Sequence, residues 1–120
     1  MTLGSLALIL VSVALSATAQ IAFKFGASSP PSLVAKSLLG PFALLTVPAV
    51  FAGFALYGIG AVIWVTALGR VELSQAYPFV GIGFAITTFA GWWLFGDTIT
   101  ATRLFGIAMV VLGVVVVARS

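Results

Sequence analysis

The chain has 120 residues, 62% of them hydrophobic and only 6% charged, with a mean hydropathy of +1.32. Soluble domains carry about 25% charged residues, so this composition excludes an ordinary globular protein and requires an integral membrane one. The net charge of +3 rests on five cations and two acids scattered near segment ends, with no basic patch, which excludes a nucleic-acid partner.

Neither Cys nor His occurs, so disulfides, thiol nucleophiles, histidine proton relays and the usual zinc and haem sites are excluded, and no cofactor or metal is expected. The long apolar runs show none of the ~10-residue in/out alternation of a membrane barrel. They predict an all-α integral membrane fold of four transmembrane helices, forming one domain over residues 1–120.

The first helix is expected at about residues 3–25. Its run from Leu3 to Lys24 measures about 32 Å, enough to cross a ~30 Å hydrocarbon core. It has no basic leader, and its length suits a span rather than a cleaved signal. Ser12, Ser16, Gln20 and Lys24 climb it at a spacing of four, so they share one face. In lipid such a polar stripe needs protein or a wet cavity beside it, which makes it the first candidate working surface.

Gly26-Ala27-Ser28-Ser29-Pro30-Pro31 reads as a loop, followed by a short interfacial segment at about 33–40. The second helix, about 45–68, carries Gly53, Gly58 and Gly60, where another helix can approach, and Tyr57 and Trp64 seven apart on one face. In the tight link after it, Glu72 is expected to pair with Arg70 or to cap the third helix. That helix, about 74–95, opens on Ser74-Gln75-Ala76-Tyr77-Pro78, where Pro78 is expected to push Tyr77 away from helical angles. Trp92 and Trp93 suit an interfacial belt at its far end. The turn from Gly96 to Thr102 offers several N-cap residues for the fourth helix, about 102–118, and Asp97 is expected to pair with Arg103. Gly106 and Gly113 stand at heptad spacing in this helix, the pattern of a close helix–helix seam and the candidate dimer interface.

Lys24, Lys36 and Arg103 fall on one side of the membrane, Arg70 and Arg119 on the other. With so little bias the chain is compatible with insertion both ways and an inverted homodimer. The plainer alternative is that short loops simply carry few charges.

The second half resembles the drug/metabolite transporter superfamily. Ala67-Leu68-Gly69-Arg70-Val71-Glu72-Leu73-Ser74-Gln75-Ala76-Tyr77-Pro78 is similar to its link between helices two and three. Leu94-Phe95-Gly96-Asp97-Thr98-Ile99-Thr100 with Leu104-Phe105-Gly106-Ile107 is similar to its link from three to four, with Asp97 where larger members usually have Glu. Two four-helix groups of that superfamily compete. Small multidrug resistance proteins have a helix-four pattern like Gly106-Ile107-Ala108-Met109-Val110-Val111-Leu112-Gly113, but they exchange protons for drug cations on a Glu of helix one. Ser16 occupies that position here, and the helix contains no acid. The small subunits of the flippase for 4-amino-4-deoxy-L-arabinose linked to undecaprenyl phosphate carry Gln-x-x-x-Lys in helix one. Ser16-Ala17-Thr18-Ala19-Gln20-Ile21-Ala22-Phe23-Lys24 resembles that pattern, and Ala76-Tyr77-Pro78 their helix-three entrance. The loop after helix one is longer here than in those subunits, which work as heteromers.

Each candidate has a structural alternative. Lys24 can snorkel as an anchor near a helix end, or bind a lipid-carrier phosphate at that same depth. Gln20, Ser16 and Ser12 can bond across helices or, for the serines, back to their own carbonyls; Gln20 can equally reach a phosphate oxygen or sugar hydroxyl. Tyr57, Trp64 and Tyr77 are interface anchors or the lining of a sugar or polyprenyl path. The resulting expectation is a multi-pass inner-membrane transporter that flips or exports a polyprenyl-phosphate-linked sugar or similar anionic amphiphile, with substrate bound by Lys24, Gln20, Ser16, Tyr77, Tyr57 and Trp64. It is expected to work as an eight-helix dimer, with itself or with a similar four-helix subunit. No nucleophile–base pair suggests an enzyme. The alternatives are a small multidrug-type exporter of cationic or amphiphilic compounds and a non-transporting membrane assembly subunit.

Overall fold

The computed structural model describes residues 2–28 and 45–120; the interfacial segment expected at about 33–40 lies outside them. Four helices in the described residues are long and apolar enough to cross a membrane. The first, α1 (Leu3–Ala27), starts where the Thr2 hydroxyl accepts the Ser5 backbone N–H at 3.2 Å. Its 25 residues measure about 37 Å. At its end the Lys24 carbonyl accepts both the backbone N–H (3.0 Å) and the hydroxyl (2.8 Å) of Ser28, which satisfies an otherwise orphaned helix-terminal acceptor.

α2 (Pro48–Leu68) begins on a proline, whose missing N–H costs nothing in a first turn. It runs antiparallel to α1: Gly26 lies against Val50, Gly53 against Phe23 and the Ala19 carbonyl, Gly60 against Leu15 and the Ser12 carbonyl. A Cβ at Gly53 would stand 2.7 Å from the Phe23 ring, so the missing side chain is what permits this approach. Gly58, expected to do the same, has nothing within 4 Å of where its Cβ would be and points outward. The Ser12 hydroxyl donates to the Gly60 carbonyl at 2.9 Å, fastening the two helices at a buried point.

The third span is interrupted. α3 (Leu73–Ala76) passes through a 3-10 turn, Tyr77–Phe79, into α4 (Val80–Phe95). Tyr77 keeps helical angles, φ −62° and ψ −38°, contrary to the expectation that Pro78 would drive it extended. The proline is instead accommodated by the tighter 3-10 turn, which does not require its absent N–H. Glu72 takes the N-cap position of α3 with its backbone alone; its side chain makes no cap bond. α4 stops at Gly96, whose φ of +69° is the left-handed conformation glycine adopts without penalty, and the Asp97 N–H closes the turn on the Gly91 carbonyl at 3.0 Å.

α5 (Ala101–Arg119) is capped by the Thr100 hydroxyl, which accepts the Arg103 N–H at 3.1 Å. The Arg103 guanidinium donates to the Thr98 carbonyl at 2.7 Å, and no ion pair joins it to Asp97 or any other described residue. The expected Asp97–Arg103 and Glu72–Arg70 pairs are absent among the described residues, and Arg103 bonds the Thr98 carbonyl instead.

α4 runs parallel to α1, with Gly83 beside Val13 at one end and the Phe95 ring tilted against Phe25, centroids 4.7 Å apart, at the other. α5 leans on α4 where Val110 and Val114 close over Gly81. The main cluster of buried residues, Ile9, Val13, Ala67, Ala76, Phe79 and Val114, sits toward the N-terminal end of α1.

Candidate functional site

α2 and α4 both pack on α1, and a cleft of about 510 Å³ separates them. α1 is its floor through Ser12, Ser16 and Gln20; Tyr57, Ala61 and Trp64 of α2 form one wall, and Val80, Phe84 and Thr87 of α4 the other. Tyr77 lines the same cleft, its ring against Trp64 at 6.2 Å, edge to face. Beyond that aromatic pair lies the buried cluster around Ile9 and Phe79. Three helical periodicities thus converge. Ser12, Ser16 and Gln20 repeat every four, Tyr57 and Trp64 every seven, and Val80, Phe84 and Thr87 at three and four.

The structure brings five of the six expected binding residues, Ser16, Gln20, Tyr57, Trp64 and Tyr77, onto this one surface. Lys24 is not on the lining. It is exposed on α1 one turn past Gln20, about 6 Å farther along the helix on the same face. Gly106 and Gly113 are not on this lining, and each has open space where a Cβ would stand.

Ser12 is the one member of the polar ladder held by the fold, through its bond to Gly60. Among the described residues the side chains of Ser16, Gln20, Lys24, Tyr57, Trp64 and Tyr77 make no hydrogen bond. Polar groups lining a cavity without internal partners are available to water or a ligand. Among the described residues no group of His, Cys, Asp or Glu could hold a metal. The cleft lining carries no charged side chain, so Lys24 is the charge nearest to it along α1.

A flippase-subunit relative from Pseudomonas fluorescens, ArnE, is 30% identical over 118 residues, an alignment covering 96% of this chain and 97% of that one. The chain belongs to the ArnE family. Its relative from Serratia proteamaculans is 39% identical over 59 residues, 49% of this chain and 51% of that one, so there the chain spans about half the relative's length. An uncharacterised protein of Sinorhizobium fredii, y4nH, is 33% identical over 106 residues, 87% of this chain and 86% of that one. No family model matches the chain, and no solved structure matches it. Four spanning helices and ArnE-family membership make this a multi-pass inner-membrane protein.

Thr87 and Phe84 are among the cleft residues of this ArnE-family chain that escaped the sequence reading. Thr87 returns its hydroxyl to the Gly83 carbonyl at 2.9 Å, leaving its oxygen on the lining as an acceptor. Phe84 is 57% exposed and walls the cleft. The signal was present: Tyr77, Val80, Phe84 and Thr87 fall at i, i+3, i+7 and i+10, one face of a helix. It was obscured by Pro78 and the glycines, which made the start of that helix uncertain.

Proposed function

We propose that this protein is one subunit of a flippase that carries a polyprenyl-phosphate-linked sugar across the inner membrane. The relatives from Pseudomonas and Serratia are named as probable 4-amino-4-deoxy-L-arabinose-phosphoundecaprenol flippase subunits, which supports this cargo class. The observation that carries the reading is the cleft itself. Gln20, Ser16, Tyr57, Trp64 and Tyr77 face one lateral opening with unsatisfied donors and acceptors, and Lys24 stands one turn past Gln20.

Such an arrangement suits an amphiphile. The Lys24 ammonium meets the phosphate at the interface, where a lysine near a helix end costs far less than the ~2.5–3.5 kcal/mol of one at mid-membrane. Gln20 donates to a phosphate oxygen or a sugar hydroxyl. Tyr57, Tyr77 and Trp64 offer flat apolar faces to the sugar ring and polar tips to its substituents. No bond is made or broken; the cargo exchanges one solvent for another, and the protein replaces the lost hydration of the head group.

A single chain is thin, with principal extents of 52 × 36 × 18 Å, and its cleft is open on the side away from α1. Closure requires a second four-helix subunit, in keeping with the word subunit in the relatives' names. α5 is the least covered helix, 6% buried over its most apolar window, and we place the partner on its outer face beside Gly106. A single cysteine at Gly106 should form a disulfide-linked pair in oxidised membranes; no crosslinked species on denaturing gels would rule out that face.

The function is tested by reconstitution into vesicles with a fluorescent polyprenyl-phosphate sugar. Lys24→Ala should lower the flipping rate about tenfold to a hundredfold, the factor for a lost charge-assisted hydrogen bond of about 1.5–3 kcal/mol. Lys24→Arg should retain most of it. A Lys24→Ala protein that flips at the wild-type rate would overturn the phosphate assignment.

A further inference from the structure

A second concavity, of about 400 Å³, lies across the Tyr77–Phe84 stretch from the cleft, between α4 and α5. Pro78, Gly81, Met109, Val110, Gly113 and Val117 supply its apolar surface. Tyr77, Val80 and Phe84 line both spaces, so the two meet over a saddle of two exposed aromatic rings, Tyr77 at 61% and Phe84 at 57%. The groove's depth has a simple origin. Gly81 lets Val110 and Val114 close in as its base, while Gly113 leaves the opposite wall without a side chain.

We infer that this groove holds the polyprenyl tail of the amphiphile whose head group occupies the cleft; the inference rests on the flippase reading above. Three observations favour that occupant. Apart from the shared Tyr77 the groove has no polar side chain, so neither a phosphate nor a sugar is served there. It adjoins the cleft, with Tyr77, Val80 and Phe84 lining both, as two halves of one amphiphile require. Its position along the membrane is also right. Because Gly83 sits beside Val13, the Val80–Phe84 level lies roughly ten residues, about 15 Å, along α1 from Lys24. A lipid anchored by its phosphate at the Lys24 interface sends its tail in that direction.

A partner helix fits less well. The groove follows α5 only from Met109 to Val117, about 12 Å, whereas a packed transmembrane helix makes contact over much of a ~30 Å span. The outward stripe of α5, with Phe105, Leu112 and Val116 all more than half exposed, remains free for such a helix.

Two photoreactive undecaprenyl-phosphate sugars test this in native membranes, one with a diazirine in the isoprene units nearest the phosphate, the other with it on the sugar. The tail probe should label Met109, Val110 and Val117 about tenfold more than Phe51, Ile59 and Val62 of α2, although Val110 and Val117 are less exposed than these controls, since a bound tail is in contact and a solvent lipid is only passing. Excess unlabelled lipid should abolish the difference. The sugar probe should label Gln20 and Tyr57. Gly113→Phe, which has room for its ring, should remove tail labelling at Met109 while leaving sugar labelling intact. Tail labelling spread evenly over α2 and α5 overturns the groove while the flippase reading stands; a sugar probe that also misses Gln20 and Tyr57 overturns both.

Discussion

Gly60→Leu should separate α1 from α2 and destabilise the protein by about 3 kcal/mol, at the upper end of the ~1–3 kcal/mol cost of overpacking. The Cβ alone would stand 3.3 Å from the Leu15 Cβ and 3.4 Å from the Ser12 carbonyl, already tight. Three further carbons either push α1 and α2 apart or turn into the cleft, whose lining includes Gly60. The displacement would also strain the Ser12–Gly60 hydrogen bond, worth about 0.6 kcal/mol on average for such a pair in a membrane. Unfolding in mixed detergent micelles measures the loss, and Gly58→Leu is the control. Gly58 points into open space, so that variant should unfold as the wild type does. Equal stability of both variants would show that the glycine approach is not what holds the pair.

Ala61→Trp should abolish flipping while leaving the fold intact. Ala61 lines the cleft from α2 and is exposed, so a larger side chain grows into the cavity rather than into a packed interface. An indole brings about 150–250 Å² of surface into a space of 510 Å³ and removes the room for a sugar. Val62→Trp, one position around the helix at a side chain 68% exposed, should flip at a rate close to wild type. Vesicle flipping assays compare the two, with thermal unfolding to establish that both are folded. Full activity in Ala61→Trp would place the cargo path elsewhere.

The four spanning helices were legible because lipid demands long uninterrupted apolar runs, and 120 residues with seven charges leave few places to end one. The cleft was legible in pieces. A period of four on α1 and of seven on α2 assigns each set of side chains to a face, but neither period says which faces meet. That depends on where backbones can touch, and here Gly53 and Gly60 turn α2 toward α1 while Gly58, in the same cluster, does not. Composition cannot distinguish them; only their angular positions relative to Ser12 and Ala19 can. The end-of-helix charges misled for a different reason. Glu72 is close in sequence to Arg70 and Asp97 to Arg103, yet exposed side chains at a membrane surface gain little from pairing, and Arg103 takes a carbonyl instead.

The walls of the cleft differ in stiffness. Glycine approaches clamp α2 to α1 at Gly26, Gly53 and Gly60, over about half the length of α2. The third span is clamped at one end only, where Ala76, Phe79 and Gly83 meet Ile9 and Val13; at the other it touches α1 through the Phe25–Phe95 ring pair. A ring pair of which Phe25 is half exposed to lipid slides with little loss, since lipid tails replace the contacts it gives up. Buried small residues do not. The cleft is therefore a jaw with one rigid side and one compliant side. Its pivot is at the Ile9 cluster and its travel is greatest at the end where Lys24 stands.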